Sequence, residues 1–423
     1  MTWAPVPDGS EFPLENLPFG VFRLRDDEPR VGVRIGDHVV DLVAAGLELD
    51  LTARPSLNAL MASGRGGALR DRVGEFLVDI ERPEFLHPLE DVQVLMPVEV
   101  VDYIDFYSSI HHATNLGRIL RPDSEPLLPN WRHLPVAYHG RARTVVPSGT
   151  PVIRPEGLVP DPVDGVPRLT PTGALDIELE VGFLVGGPPT ARIEPDHADR
   201  HIFGVVLLND WSARDIQGYE YQPLGPHLAK SFATTISPWV VTLDALRPFL
   251  VEPPEQDPQP DPYLRAALPW GLDLNLTVEL NGQVISGTNF SHMYWTFAQQ
   301  LAHMTVNGAV TGAGDLFGSG TVSGPTKAER GSLVELTWRG AEPLELPDGT
   351  TRTFLEDGDT VTLRGWCGGQ GGPRIGFGEA TGTIEPSLRP PATPLAAGAV
   401  AGHSLPTNGA GASSLASELE AAG

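Results

Sequence analysis

Apolar and polar residues alternate in the early part of the chain, in "FGVFRL" (19–24) and "RVGVRIGDHVVDL" (30–42). Period-two alternation predicts half-buried strands. The stretch "SLNALMASGRGGALRDRVGEFLVDI" (56–80) has helical spacing. Residues up to about 95 therefore read as a small β-rich unit with one helix and no reactive cluster. The segment "HPLEDVQVLMPVEVVDYIDFYSS" leads into a region of different character. Most of the histidines, and seven of the eight tryptophans, lie between Val101 and Gly376.

Two apolar patterns in that region carry acids. In "DIELE", Ile177, Leu179 and Val181 alternate with Glu178 and Glu180. On a strand the apolar set faces a core and the two glutamates share the other face, about 7 Å apart. Two readings stay open: a solvated strand face, or half of a hard-cation site. The run Ile202 to Leu208 reads as a buried strand, with Asp210 just past its end. "SARD" then resembles a capping box, Ser212 as N-cap and Asp215 at N3. A helix starting there places Arg214, Gln217 and Tyr221 on one face, a polar wall suited to an anion. Gly218 and Pro223 keep it short. A solvated surface turn is the alternative.

A third cluster, "DYIDFYSSIHHATNLGRILRP", holds Asp105, Tyr107, His111, His112 and Arg121 within seventeen residues. Packing, zinc and catalysis all use paired histidines. No HExxH is present, and a single cysteine leaves no thiolate-rich zinc site.

Composition narrows the classes. The chain has 423 residues with 41% hydrophobic content, enough for a full core in two or three domains. The 47 glycines and 42 prolines punctuate many short segments, as expected of a β-rich protein. A net charge of −25 argues against nucleic-acid binding, which rests on clustered Lys and Arg. It also means that an anionic substrate needs local Arg, Lys or a metal ion to receive it. The lone Cys367 excludes an intramolecular disulfide and fits a reducing compartment. "MTWAPVPDGSEF" has neither a basic n-region nor an apolar h-region, and no apolar run approaches a membrane span. The expectation is a cytoplasmic protein with no membrane partner. From about Ser387 the chain is Ala, Gly, Pro and Ser with few large apolar residues, the composition of a disordered tail.

Seven segments, in order, resemble the fumarylacetoacetase family: "DFYSSIHHATNLG", "LPNWRHLPVAYHGRA", "LDIELEVGFLVG", "NDWSARDIQ", "YEYQPLGPHLAKSFATTISPW", "HMYWTFAQQLAHMTVNGAVTGAGDLFGSGTVSGP" and "RIGFGEATG". The likeness runs from about Pro13 to about Ser387. It implies a mainly β protein with some α. A small SH3-like N-terminal β-barrel (1–97) would precede a larger C-terminal domain of β-roll type (98–387) and the tail (388–423). It also implies a homodimer that splits a carbon–carbon bond of a dicarboxylate β-diketone, 4-fumarylacetoacetate, with water. The alternative is another β-diketone or acylpyruvate hydrolase of the same superfamily.

Carried over by position, the resemblance implies Asp105, Glu178, Glu180 and Asp210 as Ca²⁺ ligands. It implies Asp210, Lys230 and Thr234 around a Mg²⁺, with Lys230 offering its backbone carbonyl, because an ammonium is no ligand. Asp176 falls outside the ligand set, with a role that is either structural or one of supporting the ligands from behind. His112 would be the general base, oriented by Glu335, since neutral imidazole can take a proton from water at physiological pH. Arg214, Gln217 and Lys230 would stabilise the oxyanion. Tyr107, Arg121, Gln217, Tyr221 and Thr321 would contact substrate, and Tyr138 would line the pocket. Ala229 and Ala233 stand where the family has glycines, and "WCGGQGGPRIGFG" departs from the family as a loop.

Overall fold

The computed structural model describes residues 2–25, 27–369 and 371–388. The tail expected from residue 388 lies, from 389 on, outside the described residues. The described part is mainly β. An N-terminal antiparallel sheet runs in the order Leu86–Pro88, His38–Asp41, Arg30–Ile35, Phe19–Leu24, Val92–Leu95. The alternating segments are thus strands, as their pattern predicts. The helical stretch is two helices rather than one, Asn58–Ser63 and Gly66–Asp79. Gly64 separates them at φ +66°, a left-handed conformation that ends a helix at little cost only for glycine.

The larger part is built on an eight-stranded sheet and a five-stranded one. In the first, Leu179–Val185 lies between Leu316–Gly318 and Ile202–Asp210, and the latter also pairs with Thr234–Ile236. Tyr103–Phe106 runs parallel to Leu316–Gly318, with Asp105 opposite Gly318. Of the Gly-rich "WCGGQGGPRIGFG", residues 366–368 and 374–378 lie on the paired strands Thr360–Gly368 and Arg374–Glu385 of the five-stranded sheet.

Strand alternation decides where the acids go. Ile177, Leu179, Val181, Phe183, Val205 and Leu207 enter the main apolar core. Tyr103, Leu184, Val206, Leu208, Ile236 and Leu316 line the opposite face. There they form one core with Phe19, Val21, Val33 and Leu60 of the N-terminal part. Asp105, Glu180, Asp210 and Thr234 lie an even number of residues along from members of that second layer, so they occupy its face. The face is covered by protein, and all four side chains are buried. Of the two readings of "DIELE", the solvated strand face is excluded: Asp176 to Glu180 are each at most 5% exposed. The strand is also interrupted. Leu175–Asp176 pairs with Ser212–Ala213, while Ile177 and Glu178 pass between paired segments.

Candidate active site

Four carboxylates converge at the end of the second layer. Asp105, Glu178, Glu180 and Asp210 each offer an oxygen, and these oxygens lie within 4.8 Å of one another. Asp210 is the last residue of its strand rather than the first beyond it. Its Oδ1 accepts from Thr234 Oγ1 at 3.0 Å, across from it in the ladder. Its Oδ2 accepts from Tyr138 OH at 2.6 Å and from Lys230 Nζ at 2.8 Å. Lys230 Nζ also donates to Glu178 Oε2. The Lys230 ammonium thus pairs with two of the acids.

The other two carboxylates are less satisfied. Glu180 Oε2 accepts from the Gly320 N–H at 2.9 Å. Glu180 Oε1 and Asp105 Oδ1 are buried with no hydrogen-bond partner. Burial, and then the neighbouring carboxylates, push both acids well above the usual carboxylate range. Burial opposes the ionisation of Glu178 too, but Lys230, Arg214 and His112 outweigh it and hold that group low. A Cβ at position 318 would stand 2.7 Å from Asp105 Oδ1 and 3.1 Å from Glu180 Oε2, so only glycine leaves this space open. An all-oxygen donor set with orphaned acceptors and an open cradle fits a hard divalent cation.

Beside the carboxylates stands a histidine–carboxylate pair. His112 is three residues into the helix Ile110–Leu120, whose N-cap Ser109 accepts from the His112 N–H at 3.2 Å. Its Nδ1 is 2.6 Å from Glu335 Oε2. Glu335 comes from a separate short helix, Leu333–Leu336. Its carboxylate also accepts from Asn115 Nδ2 at 2.9 Å, Ser323 Oγ at 2.9 Å and Ser332 Oγ at 2.7 Å. Burial alone would raise this acid, but His112 and these donors bring it down to about 2. Sequence reading missed Asn115, Ser323 and Ser332. The i, i+3 spacing of His112 and Asn115 on one helix is the signal that could have found one of them. The Tyr107 ring packs edge-on against His112, centroids 5.3 Å apart. Burial followed by Glu335 and Glu178 keeps the Tyr107 phenol protonated.

The third group is the Arg214 helix, Arg214–Glu220. Its N-cap is Ala213, which corrects the capping-box expectation. Ser212 instead pairs in a strand, and its hydroxyl donates to Asp210 O. The Asp215 carboxylate accepts from Thr172 Oγ1 and from the Gly173 N–H rather than closing a box. The Arg214–Gln217 pairing holds, with Nη1 donating to Gln217 Oε1 at 3.1 Å. Arg214 Nη1 also lies 2.8 Å from Glu178 Oε1, its Nε donates to Asp176 at 2.7 Å, and its Nη2 is buried without a partner. Thr321 is buried with its hydroxyl unpartnered, and so is the Arg121 Nε. Arg121 Nη2 donates to Pro126 O, and the Tyr221 hydroxyl accepts from Gln222. These two make bonds close in sequence rather than to the carboxylates. Ala229 and Ala233 are both buried against apolar side chains, Ala229 beside Ala213 and Ile216 and Ala233 in the main core.

The chain resembles known proteins along nearly its whole length. The family model described as Fumarylacetoacetase N-terminal matches residues 15–97, and Fumarylacetoacetate (FAA) hydrolase C-terminal matches 103–385. A fumarylacetoacetase of Caenorhabditis elegans is 48% identical over 413 residues, covering 90% of this chain and 98% of its own. That of Homo sapiens is 46% identical over 427 residues, covering 92% and 100%. Among solved structures, the fumarylacetoacetate hydrolase of Exiguobacterium antarcticum covers 88% of this chain and 99% of its own, with a TM-score of 0.53 at 18% identity. A maleylpyruvate hydrolase of Sphingobium sp. SYK-6, solved with manganese(II) and pyruvate, covers 88% and 100% with a TM-score of 0.51 at 15% identity. These structural likenesses concern the fold. With both family models matched and relatives near half identical over nine-tenths of the chain, the protein belongs to the fumarylacetoacetase family.

Proposed function

We propose that this chain hydrolyses 4-fumarylacetoacetate to fumarate and acetoacetate, the last step of tyrosine and phenylalanine degradation. The observation that carries the reading is the buried His112–Glu335 pair set beside four convergent carboxylates. Glu335, held ionised, accepts a hydrogen bond from the Nδ1–H and fixes the tautomer, which leaves Nε2 of His112 free to take a proton from water. The hydroxide adds to the ketone carbon on the fumaryl side. The carbon–carbon bond then breaks, its electron pair leaving on acetoacetate as an enolate, and a proton from the His112 imidazolium quenches that carbanion. Arg214 and Lys230, both buried cations, and the amide of Gln217 are fixed donors for the oxygen charge that develops. Tyr107, Arg121, Tyr221 and Thr321 hold the substrate, Arg121 receiving a terminal carboxylate, and Tyr138 closes the pocket.

We assign the metal as Ca²⁺ on Asp105, Glu178, Glu180 and Asp210, with a Mg²⁺ position around Asp210, Lys230 and Thr234. A bound divalent cation would supply Lewis-acid stabilisation of the diketone oxygens. A homodimer goes with this reading. On the Glu156–Pro160 and Pro167–Pro171 hairpin, Leu158 and Leu169 sit opposite one another, and both are half-exposed. Among the described residues no helix is long and apolar enough to cross a membrane. We place the enzyme in the cytoplasm, where the buried free thiol of Cys367 is stable.

The test is the purified, metal-loaded protein with fumarylacetoacetate and, separately, with acylpyruvates, followed by loss of diketone absorbance. A higher kcat/KM for fumarylacetoacetate is expected. Equal or better turnover of acylpyruvates would move the assignment to the related hydrolases.

A further inference from the structure

Asp176 is fully buried and belongs to neither the carboxylate cluster nor the histidine pair. Every acceptor position of its carboxylate is nevertheless in use. Oδ1 accepts from the Leu333 N–H at 2.7 Å and the Ile177 N–H at 2.8 Å. Oδ2 accepts from the Val334 N–H at 3.1 Å and from Arg214 Nε at 2.7 Å. Leu333 and Val334 open the one-turn helix whose next residue is Glu335. A single carboxylate therefore grips two separate parts of the site. On one side is the guanidinium that reaches Glu178 and Gln217, and on the other the backbone that carries the orienting acid of His112.

We propose that Asp176 is a positioning residue that locks Arg214 and the Glu335 helix into one unit, setting the direction of the His112–Glu335 hydrogen bond. The chemistry requires a carboxylate there. All four partners are donors, three of them backbone N–H groups that cannot rotate away. An amide of the same size turns one acceptor into a donor in either flip, and that donor meets an N–H. Leaving a buried donor unpaired moves the chain, and the element that supplies two of the N–H groups is the four-residue helix bearing Glu335. A glutamate keeps the charge but carries it one methylene too far for both arms. A hydrogen bond as short as the one between His112 and Glu335 depends on direction, so a small displacement of the helix weakens it before the fold gives way.

The experiment compares wild type, Asp176→Asn, Glu335→Gln and the double variant, each loaded with metal, by kcat, KM and the ¹⁵N-edited proton signal of His112 Nδ1–H. Outer groups that orient a site typically cost roughly 10–100-fold in activity when removed. Asp176→Asn should lower kcat by about that factor and shift or broaden the imidazole proton, with circular dichroism unchanged. In the double variant the two losses should not multiply, because groups acting as a unit are not additive. An unshifted imidazole proton, or fully multiplicative losses, would show that Asp176 only supports the fold. If Asp176→Asn does not fold, Asp176→Glu takes its place with the same readouts, and failure of both to fold also overturns the proposal. The proposal rests on the hydrolase reading. Inactivity of wild type would sink that reading, whereas the proton signal tests the lock with no substrate present.

Discussion

The Nδ1 of His112 and the Oε2 of Glu335 lie 2.6 Å apart, both buried, although 223 residues separate them in the chain. The imidazole orientation therefore depends on a carboxylate that no local sequence feature near His112 supplies. Glu335→Gln removes the charge and turns one of the two acceptors into a donor, and an amide N–H facing Nδ1 favours the wrong tautomer. A fall in kcat of roughly 10²–10⁴-fold is expected, the range of a positioned base. Steady-state kinetics at saturating substrate would show it, and a loss under tenfold would remove Glu335 from the mechanism.

The same pair predicts the acid limb of the stability curve. Glu335 has a folded pKa of about 2, below its ordinary 4.5. Its ionised form thus stabilises the fold above pH 4.5, and that contribution fades as the pH drops toward 2. Between those values the melting temperature of wild type should fall more steeply than that of Glu335→Gln. Parallel curves from differential scanning calorimetry would contradict this.

Base and metal separate by mutation. His112→Ala removes no carboxylate, so elemental analysis should find wild-type metal content alongside an activity loss of roughly 10²–10⁴-fold. Glu178→Ala removes one of the four converging acids. It should lose both metal and activity, with some of each restored by added Ca²⁺ or Mg²⁺. Loss of metal from His112→Ala would make His112 a ligand.

Metal removal should be visible in stability without any substrate. Lys230 and Arg214 pair with Glu178 and Asp210, but the buried Asp105 and Glu180 keep orphaned oxygens with no counter-charge of their own, and a divalent cation among the four acids would supply it. Ca²⁺ or Mg²⁺ added after chelation should raise the melting temperature, since a ligand at 100 times its Kd contributes about 2.7 kcal/mol. A melting curve indifferent to either ion would leave the acids without a cation.

Gly318 offers a subtler probe. Its absent Cβ keeps clear of Asp105 Oδ1 and Glu180 Oε2. Gly318→Ala should weaken metal binding by isothermal titration at least tenfold while the protein stays folded. An unchanged Kd would show that the cradle tolerates a methyl.

Local pattern was enough for much of this protein. The strands at 19–24 and 30–35, the buried run ending at Asp210 and the apolar side of "DIELE" follow from period-two alternation, which needs no partner to be read. The helix at Arg214 and its pairing with Gln217 are likewise short-range, although the N-cap was misplaced because Ser212 pairs with the distant Asp176. The motif resemblance points to the four acids that converge and to His112, which pairs with Glu335, since spacing within each motif survives in the sequence. Two things depended on the fold. One is the burial of Glu178 and Glu180: alternation says which side they take but not that Lys230, Arg214 and the Gly320 backbone meet them there. The other is the grip of Asp176 on Arg214 and on the backbone before Glu335, and the donors Asn115, Ser323 and Ser332 around that acid. Most of those contacts join residues tens to hundreds of positions apart. Each is a hydrogen bond set by direction over a few tenths of an ångström, and only packed strands and helices hold distant residues to that tolerance.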